Sequence, residues 1–339
     1  MRNLQVLSIF ACIFIFFLSQ SNFACGELEF LYTFGTKGNG TTNFNAPAGI
    51  ALDQEGKIYV ADFSNKRIQI LDFSGNFYPS ISVHGLAHGV EIADDIIYVA
   101  VWDNPTIEIF AINGTKISSF SVLGKPGDIA INNFGEIYVT SYETGIIQIF
   151  DPFGNLIKTI SPVVNGIHAK YTGIALDNLE NIYVTDYINN RVMKLDSSGN
   201  FLFEFIIPPE EGKFFRPTNI EINLDEEVYV TDNSNKVFIF DTSGNFIYSF
   251  GELGEGISQF NGPHGITFDD LGHVYVVEMN NNRIQIFNSI NSFQLHTYNE
   301  VLDVNSKIEF KFHDYVYLII ILIVIAGTIG FIFKKLSSK

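Results

Sequence analysis

Two histidines stand at matching places in this chain, His88 in Ala87-His88-Gly89-Val90 and His264 in Pro263-His264-Gly265-Ile266. Matching places in two copies of a repeated segment bring both imidazoles to one region of the fold. Three imidazoles with a further position open to water suit a catalytic metal. The other copies carry Ala48, Gly127, Thr172 and Thr218 there, and His168 lies four residues ahead of Thr172 and would have to reach in through its loop. A metal reading, with zinc or calcium as the ion, therefore rests on His88, His264 and His168. Its competitor is a pair of histidines satisfied by hydrogen bonds or solvent, with no cofactor.

A second set of residues suits recognition. Phe63, Trp102, Tyr142 and Tyr187 each follow a recurring tyrosine by four residues, where the last two copies have Asn233 and Met279. Aromatic side chains offer large contact area and lose little rotamer entropy, which favours protein, peptide or sugar ligands. The competing reading packs these rings between neighbouring units. Asp62, Asp186 and Asp232 recur four or five residues before Arg67, Arg191 and Lys236. Repetition of that pairing reads as a structural clamp across a turn. Asn39-Gly40-Thr41 and Asn113-Gly114-Thr115 are glycosylation acceptors, Asn39 and Asn113 being the attachment points in a host that glycosylates exported proteins. No nucleophile elbow, P-loop, dinucleotide fingerprint or zincin helix is present.

The elements that must position these residues repeat. Tyr59, Tyr98, Tyr138, Tyr183, Tyr229 and Tyr275 are spaced by 39, 40, 45, 46 and 46 residues. Each sits in a run such as IYVAD or VYVVE, preceded by a strand-like segment such as GIALD and followed by one such as RIQIL. Runs of β-branched and aromatic residues separated by Asp, Asn and Gly read as short strands joined by tight turns. In the first five units a Gly-containing turn leads to a fourth strand, as in SGNFIYSF. Four antiparallel strands per unit make one blade of a propeller, and six units predict an all-β, six-bladed β-propeller of four-stranded antiparallel blades. The loops entering blades 1, 4, 5 and 6 are long (35–46, 161–171, 208–216 and 251–262), and those entering blades 2 and 3 are short. One face is thereby walled on one side and open on the other.

The pattern P-x-G-I-x-x-D, then I/V-Y-V-A/T-D, then N-K/R-I-x-I-F/L-D resembles the NHL repeat, over about Leu28–Asn288. Blade 2 departs from it with Val101-Trp102-Asp103-Asn104-Pro105, and blade 3 has Ser141 in place of the Asp and lacks the Arg. The resemblance implies an exported six-bladed propeller. It also raises two enzyme precedents. NHL-type peptidyl-hydroxyglycine amidating lyases hold zinc with inward histidines, to which His88 and His264 are the matching positions. The His264 and Glu278 pair is similar to part of a streptogramin B lyase site, although Asn281 and Thr218 stand where that family has further histidines.

The sixth unit has three good strands. The segment 27–50 echoes 244–266, so residues 27–35 are expected to supply the closing outer strand of blade 6, with Ser292–Tyr298 as the rival. Such pairing removes two exposed sheet edges.

Both ends read as membrane signals. Residues 1–26 form a signal peptide, with Arg2 ahead of the apolar Leu4–Leu18 and with Ala24 and Gly26 suited to cleavage. An uncleaved anchor and a lipoprotein-type cleavage at Cys25 are the alternatives. Val316–Phe333 carries no charge over 18 residues and precedes Lys334 and Lys335, as a transmembrane helix at 315–334 with a cytoplasmic tail at 335–339 would. Between propeller (27–288) and helix, the tether 289–314 spans at most about 90 Å when fully extended. With Cys12 inside the signal, the exported domain holds at most one cysteine and must stand without an internal disulfide.

The net charge of −17 argues against a nucleic-acid partner, which needs clustered Lys and Arg. The combined expectation is a single-pass cell-membrane protein. Its extracellular propeller binds a protein, peptide or glycan on one face without catalysis, with a metal-dependent lyase or hydrolase as the alternative.

Overall fold

In the computed structural model the described residues are 28–162 and 168–288. They form six four-stranded antiparallel sheets arranged in a ring, each inner strand neighbouring the inner strands of the next and previous sheets. Blade 1 comprises Pro47–Leu52, Ile58–Asp62, Arg67–Leu71 and Phe77–Ser82, and the later blades repeat that order. In blade 6 the inner three strands are Pro263–Phe268, Val274–Glu278 and Arg283–Asn288. Its fourth is Glu29–Phe34, which pairs antiparallel with Arg283–Asn288 through Glu29 opposite Asn288 and Phe34 opposite Ile284. The ring is thus closed by hydrogen bonds between the two ends of the propeller.

No blade has a core of its own. Six hydrophobic clusters lie between the sheets, and each draws residues from two adjacent blades. That explains the second strands, where every residue of Ile58–Asp62 is buried although a strand with one wet face would alternate. The repeat tyrosine is one of these shared core residues, and its hydroxyl explains why Tyr recurs rather than Phe. Tyr59 donates to Asp53 at 3.0 Å, Tyr183 to Asp177 at 3.0 Å and Tyr275 to Asp269 at 2.8 Å. The other oxygen of Asp53 accepts from the amides of Glu55 and Lys57, so one carboxylate closes the turn and satisfies the buried phenol.

The repeat glycine has an equally local cause. A Cβ at Gly49 would lie 2.6 Å from the carbonyl oxygen of His88, and one at Gly265 would lie 2.5 Å from that of Ala48. Inner strands of adjacent blades approach too closely there for any side chain.

The long loops into blades 1 and 6 share one design. In the first, Lys37 bridges Phe44 in parallel, and in the second Glu252–Leu253 pairs in parallel with Gln259–Phe260. Phe44 and Phe260 are fully buried by this fold-back. The sequence reading saw that these segments echo one another and missed this small sheet, whose strands are too short to show a period.

The expected signal peptide, tether, transmembrane helix and rival strand Ser292–Tyr298 lie outside the described residues. Among the described residues no helix is long and apolar enough to cross a membrane.

Candidate functional site

The aromatic residues are placed by a backbone bond that repeats around the ring. In blades 2, 3, 4 and 6 the residue following the second strand donates its amide to the carbonyl of the residue before the inner strand of its own blade. Trp102 donates to Leu86, Tyr142 to Lys125 and Tyr187 to Lys170, at 2.9 to 3.0 Å. The rings then meet across blade boundaries. Trp102 and Tyr142 have centroids 5.1 Å apart, and Tyr142 and Tyr187 5.7 Å apart. At the other end His88 stacks on Trp102 at 4.7 Å and meets Phe63 at 5.8 Å. Phe63, Trp102, Tyr142 and Tyr187 therefore form one continuous band with His88 inserted in it, and all four are half-buried. They do pack between blades, as the competing reading held, and they keep part of their surface open.

A feature the sequence reading overlooked is that cations cover this band. Lys125 lies over the Trp102 ring at 5.6 Å, Lys170 over Tyr142 at 4.5 Å and Arg216 over Tyr187 at 5.5 Å. Each comes from the blade after the ring it covers. The signal was available in the residues preceding the inner strands, where blades 3, 4 and 5 alone carry a base.

The two histidines also meet, with ring centroids 4.9 Å apart and planes nearly perpendicular. His88 is 7% exposed, and its Nδ1 lies 2.6 Å from the carbonyl oxygen of Gly127, which makes Nδ1 the protonated nitrogen. Burial pulls its pKa down to about 4. Burial, with the neighbouring His88 adding to it, pulls His264 down to about 3. Both are neutral imidazoles near pH 7. His168 is exposed on its loop, where its carbonyl accepts from Asn189 at 2.9 Å, and it does not join the pair. Among the described residues no group of three or more His, Cys, Asp or Glu side chains is arranged to hold a metal. Two imidazoles in edge contact with no third ligand do not fit a three-ligand catalytic zinc.

Glu278 is occupied in a different way from a catalytic partner of His264. Its oxygens accept from Arg283, Asn281, Gln285 and the Asn261 amide, with no exposure. Arg283 in turn donates to the carbonyls of Glu255, Gly256 and Gln259 in the entry loop. Asp62 and Arg67 repeat this in blade 1, reaching Asn39, Gly40 and Asn43, and Asp186 pairs with Arg191 at 2.9 Å in blade 4. The clamps thus anchor long loops. Blade 5 corrects the expected pairing, because Lys236 reaches Glu211 at 3.6 Å and Asp232 instead accepts from the amides of Phe215 and Ser234.

Inside the channel the repeat glycine is replaced twice. Asp128 and Asn219 take its place in blades 3 and 5, and Asn219 Nδ2 donates to Asp128 Oδ2 at 2.6 Å across blade 4. Burial pushes Asp128 up to about 7. Glu221 follows Asn219 on the inner strand of blade 5, and Glu91 lies on the inner strand of blade 2. Burial raises both, Glu221 to about 8, and for Glu91 the charge of Glu221 adds to the effect.

Asn39 and Asn113 are exposed, as acceptors of a glycan must be. A cavity of about 510 Å³ lies apart from the band, between the outer strands of blades 1 and 2, lined by Tyr59, Tyr78, Ile81, His84 and Lys116 among others.

Comparison with known proteins follows the repeat. The family model described as NHL repeat matches residues 44–71 and 260–287, the inner three strands of blades 1 and 6. Protein lin-41 of Caenorhabditis elegans is 49% identical over 47 residues, 14% of this chain and 4% of that protein. Human NHL repeat-containing protein 3 is 29% identical over 79 residues, 22% of this chain and 23% of that protein. The chain therefore matches less than a quarter of the length of either relative. Among solved structures, virginiamycin B lyase from Staphylococcus aureus superposes with a TM-score of 0.54 at 16% identity, covering 71% of this chain and 80% of that one. At that identity the likeness is one of fold. The matched repeats and the ring they build agree: this is a six-bladed β-propeller that carries NHL repeats in blades 1 and 6.

Proposed function

We propose that this is a binding module: an exported propeller held at the membrane by a C-terminal helix, facing outward with a short cytoplasmic tail. It takes a protein, peptide or glycan ligand on the aromatic face and performs no chemistry on it. The observation that carries the reading is the unbroken band from Phe63 to Tyr187 through His88. Half-buried rings held by their neighbours are already ordered, so a ligand that covers them loses little side-chain entropy on binding. The likeness of fold to a lyase supports no activity here, since Glu278 is consumed by a loop clamp and the histidine pair has no third metal-ligating partner among the described residues.

The test is capture of ligands by the full chain in detergent, compared with Trp102→Ala/Tyr142→Ala. Loss of about 2 kcal/mol or more of binding free energy is expected for rings at the centre of an interface. Undiminished capture by the double variant would remove the band from the binding face. Orientation is checked separately on whole cells, where added protease should reach the propeller and leave the lysine tail intact.

A further inference from the structure

The three cations over the band define a ligand chemistry. We propose that the aromatic face binds an acidic peptide segment of a partner protein through Lys125, Lys170 and Arg216, a proposal that rests on the binding reading above.

In a chain of net charge −17, three successive blades place a base at one repeat position, where blades 1, 2 and 6 have Ala46, Leu86 and Gly262. Arg67, Arg191, Lys194, Lys236 and Arg283 are all paired with carboxylates. Among the described residues Lys125, Lys170 and Arg216 have no acidic partner, and their side chains make no hydrogen bond. The rings beneath hold them in place by cation–π attraction but leave their N–H donors without a protein acceptor among the described residues. Carboxylates supply those acceptors as charge-assisted bonds. The acids on the same loops do not neutralise the row. Asp103 is engaged by Lys66 and by the Leu86 amide, and Glu143 is exposed and forms no ion pair.

Spacing favours an extended peptide. The rings under the cations are 5.1 and 5.7 Å apart, and an extended chain places alternate side chains roughly 6.8 Å apart on one face. Occupied ring faces disfavour the rivals. A sugar or a base stacks on an open aromatic face, and one face of Trp102, Tyr142 and Tyr187 is already covered. Beside the row, Ile188 and Phe215 are each 51% exposed and suit the apolar side chains of a peptide.

The experiment pans a library of short random peptides over the immobilised full chain in non-ionic detergent. Three proteins are compared: wild type, Lys125→Gln/Lys170→Gln/Arg216→Gln and Trp102→Ala/Tyr142→Ala, each shown to be folded by its thermal transition. Enrichment of Asp and Glu is expected. The triple Gln variant should weaken a selected peptide by at least roughly tenfold, and Lys125→Gln, Lys170→Gln and Arg216→Gln, titrated singly against that peptide, should each account for part of the loss. Added salt should weaken it further, as should Gln in place of its Glu. Peptides without excess acid that survive the triple Gln variant but fail on the ring variant would sink this proposal and keep the binding reading. Peptides indifferent to both variants would sink both. Charge-dependent capture of polygalacturonate or single-stranded RNA, with no acidic peptide selected, would also overturn it.

Discussion

Blades 6 and 2 put opposite chemistry at equivalent positions. Three residues after the repeat tyrosine, blade 6 has Glu278, fully buried and joined to Arg283, Asn281 and Gln285; blade 2 has Val101. One residue further on, blade 6 has Met279 and blade 2 has Trp102. The long loop entering blade 6 turns carbonyls inward, and the guanidinium of Arg283 satisfies three of them. The short loop entering blade 2 has no such carbonyls, so the acid–base pair is dispensable there. The repeat keeps one geometry and carries two chemistries, an acid–base clamp that anchors a long loop in blade 6 and a half-buried aromatic ring beside a short loop in blade 2.

The largest effect that tests this division is on stability. Glu278→Ala would strand the Arg283 guanidinium and Gln285 in a closed environment, and a loss of about 3–5 kcal/mol is expected for breaking a buried pair. Asp103→Ala in blade 2 removes a carboxylate that is 38% exposed and 3.7 Å from Lys66, and should cost within about 1 kcal/mol. Urea unfolding of both variants is the measurement. Equal losses would mean that blade 2 is anchored as strongly as blade 6, and the comparison would fail.

Much of the framework was legible in the residues. The tyrosine period gave the blade count because every blade carries one such tyrosine in its second strand, whatever the length of its entry loop. The echo between 27–50 and 244–266 gave the closing strand, because a fourth strand and the loop after it recur as a pair. Phe63, Trp102, Tyr142 and Tyr187 were legible as a set because they occupy one repeat position. Their cations were missed because Lys125, Lys170 and Arg216 belong to a different position and a different blade from the rings they cover. The Asp128–Asn219 bond was missed for a related reason. It joins blades 3 and 5 across a channel, and spacing along the chain carries no trace of which inner positions face one another.

That bond sharpens the comparison at a smaller scale. On the closing side Gly49 and Gly265 let inner strands touch, whereas on the open side Asp128 puts a carboxyl between strands and is held up to about 7 by burial. A raised folded-state pKa contributes stability that is present at low pH and lost as pH rises through the folded value. His88 and His264, depressed to about 4 and 3, act oppositely: their contribution is present above the ordinary histidine range near 6.5 and lost as pH falls. Below pH about 6.5 the two trends compete. Above it only the carboxyls titrate, so stability should fall between pH about 6.5 and 8, Asp128 contributing at most about 1.4 kcal/mol per pH unit until its own pKa is passed. Asp128→Asn keeps an acceptor for Asn219 and should flatten the first part of that fall in urea unfolding at stepped pH. Glu221→Gln should flatten the remainder. A slope unchanged in both variants would show that the channel carboxyls are solvated like surface ones.

The smallest effect separates two copies of the repeat tyrosine itself. Tyr275 in blade 6 is 1% exposed and donates to Asp269 at 2.8 Å, a carboxylate that also holds the His273 ring at 2.7 Å and closes the turn. Tyr98 in blade 2 is 6% exposed, and its hydroxyl has no protein partner among the described residues. Removing the hydroxyl should therefore cost about 1 kcal/mol in Tyr275→Phe, the net worth of one hydrogen bond, and nearly nothing in Tyr98→Phe. Thermal unfolding of the two variants side by side resolves that difference, because the ring and its packing are common to both. Equal losses would assign the tyrosine's role to shape alone, and the Asp that precedes it by six residues would then matter only for the turn.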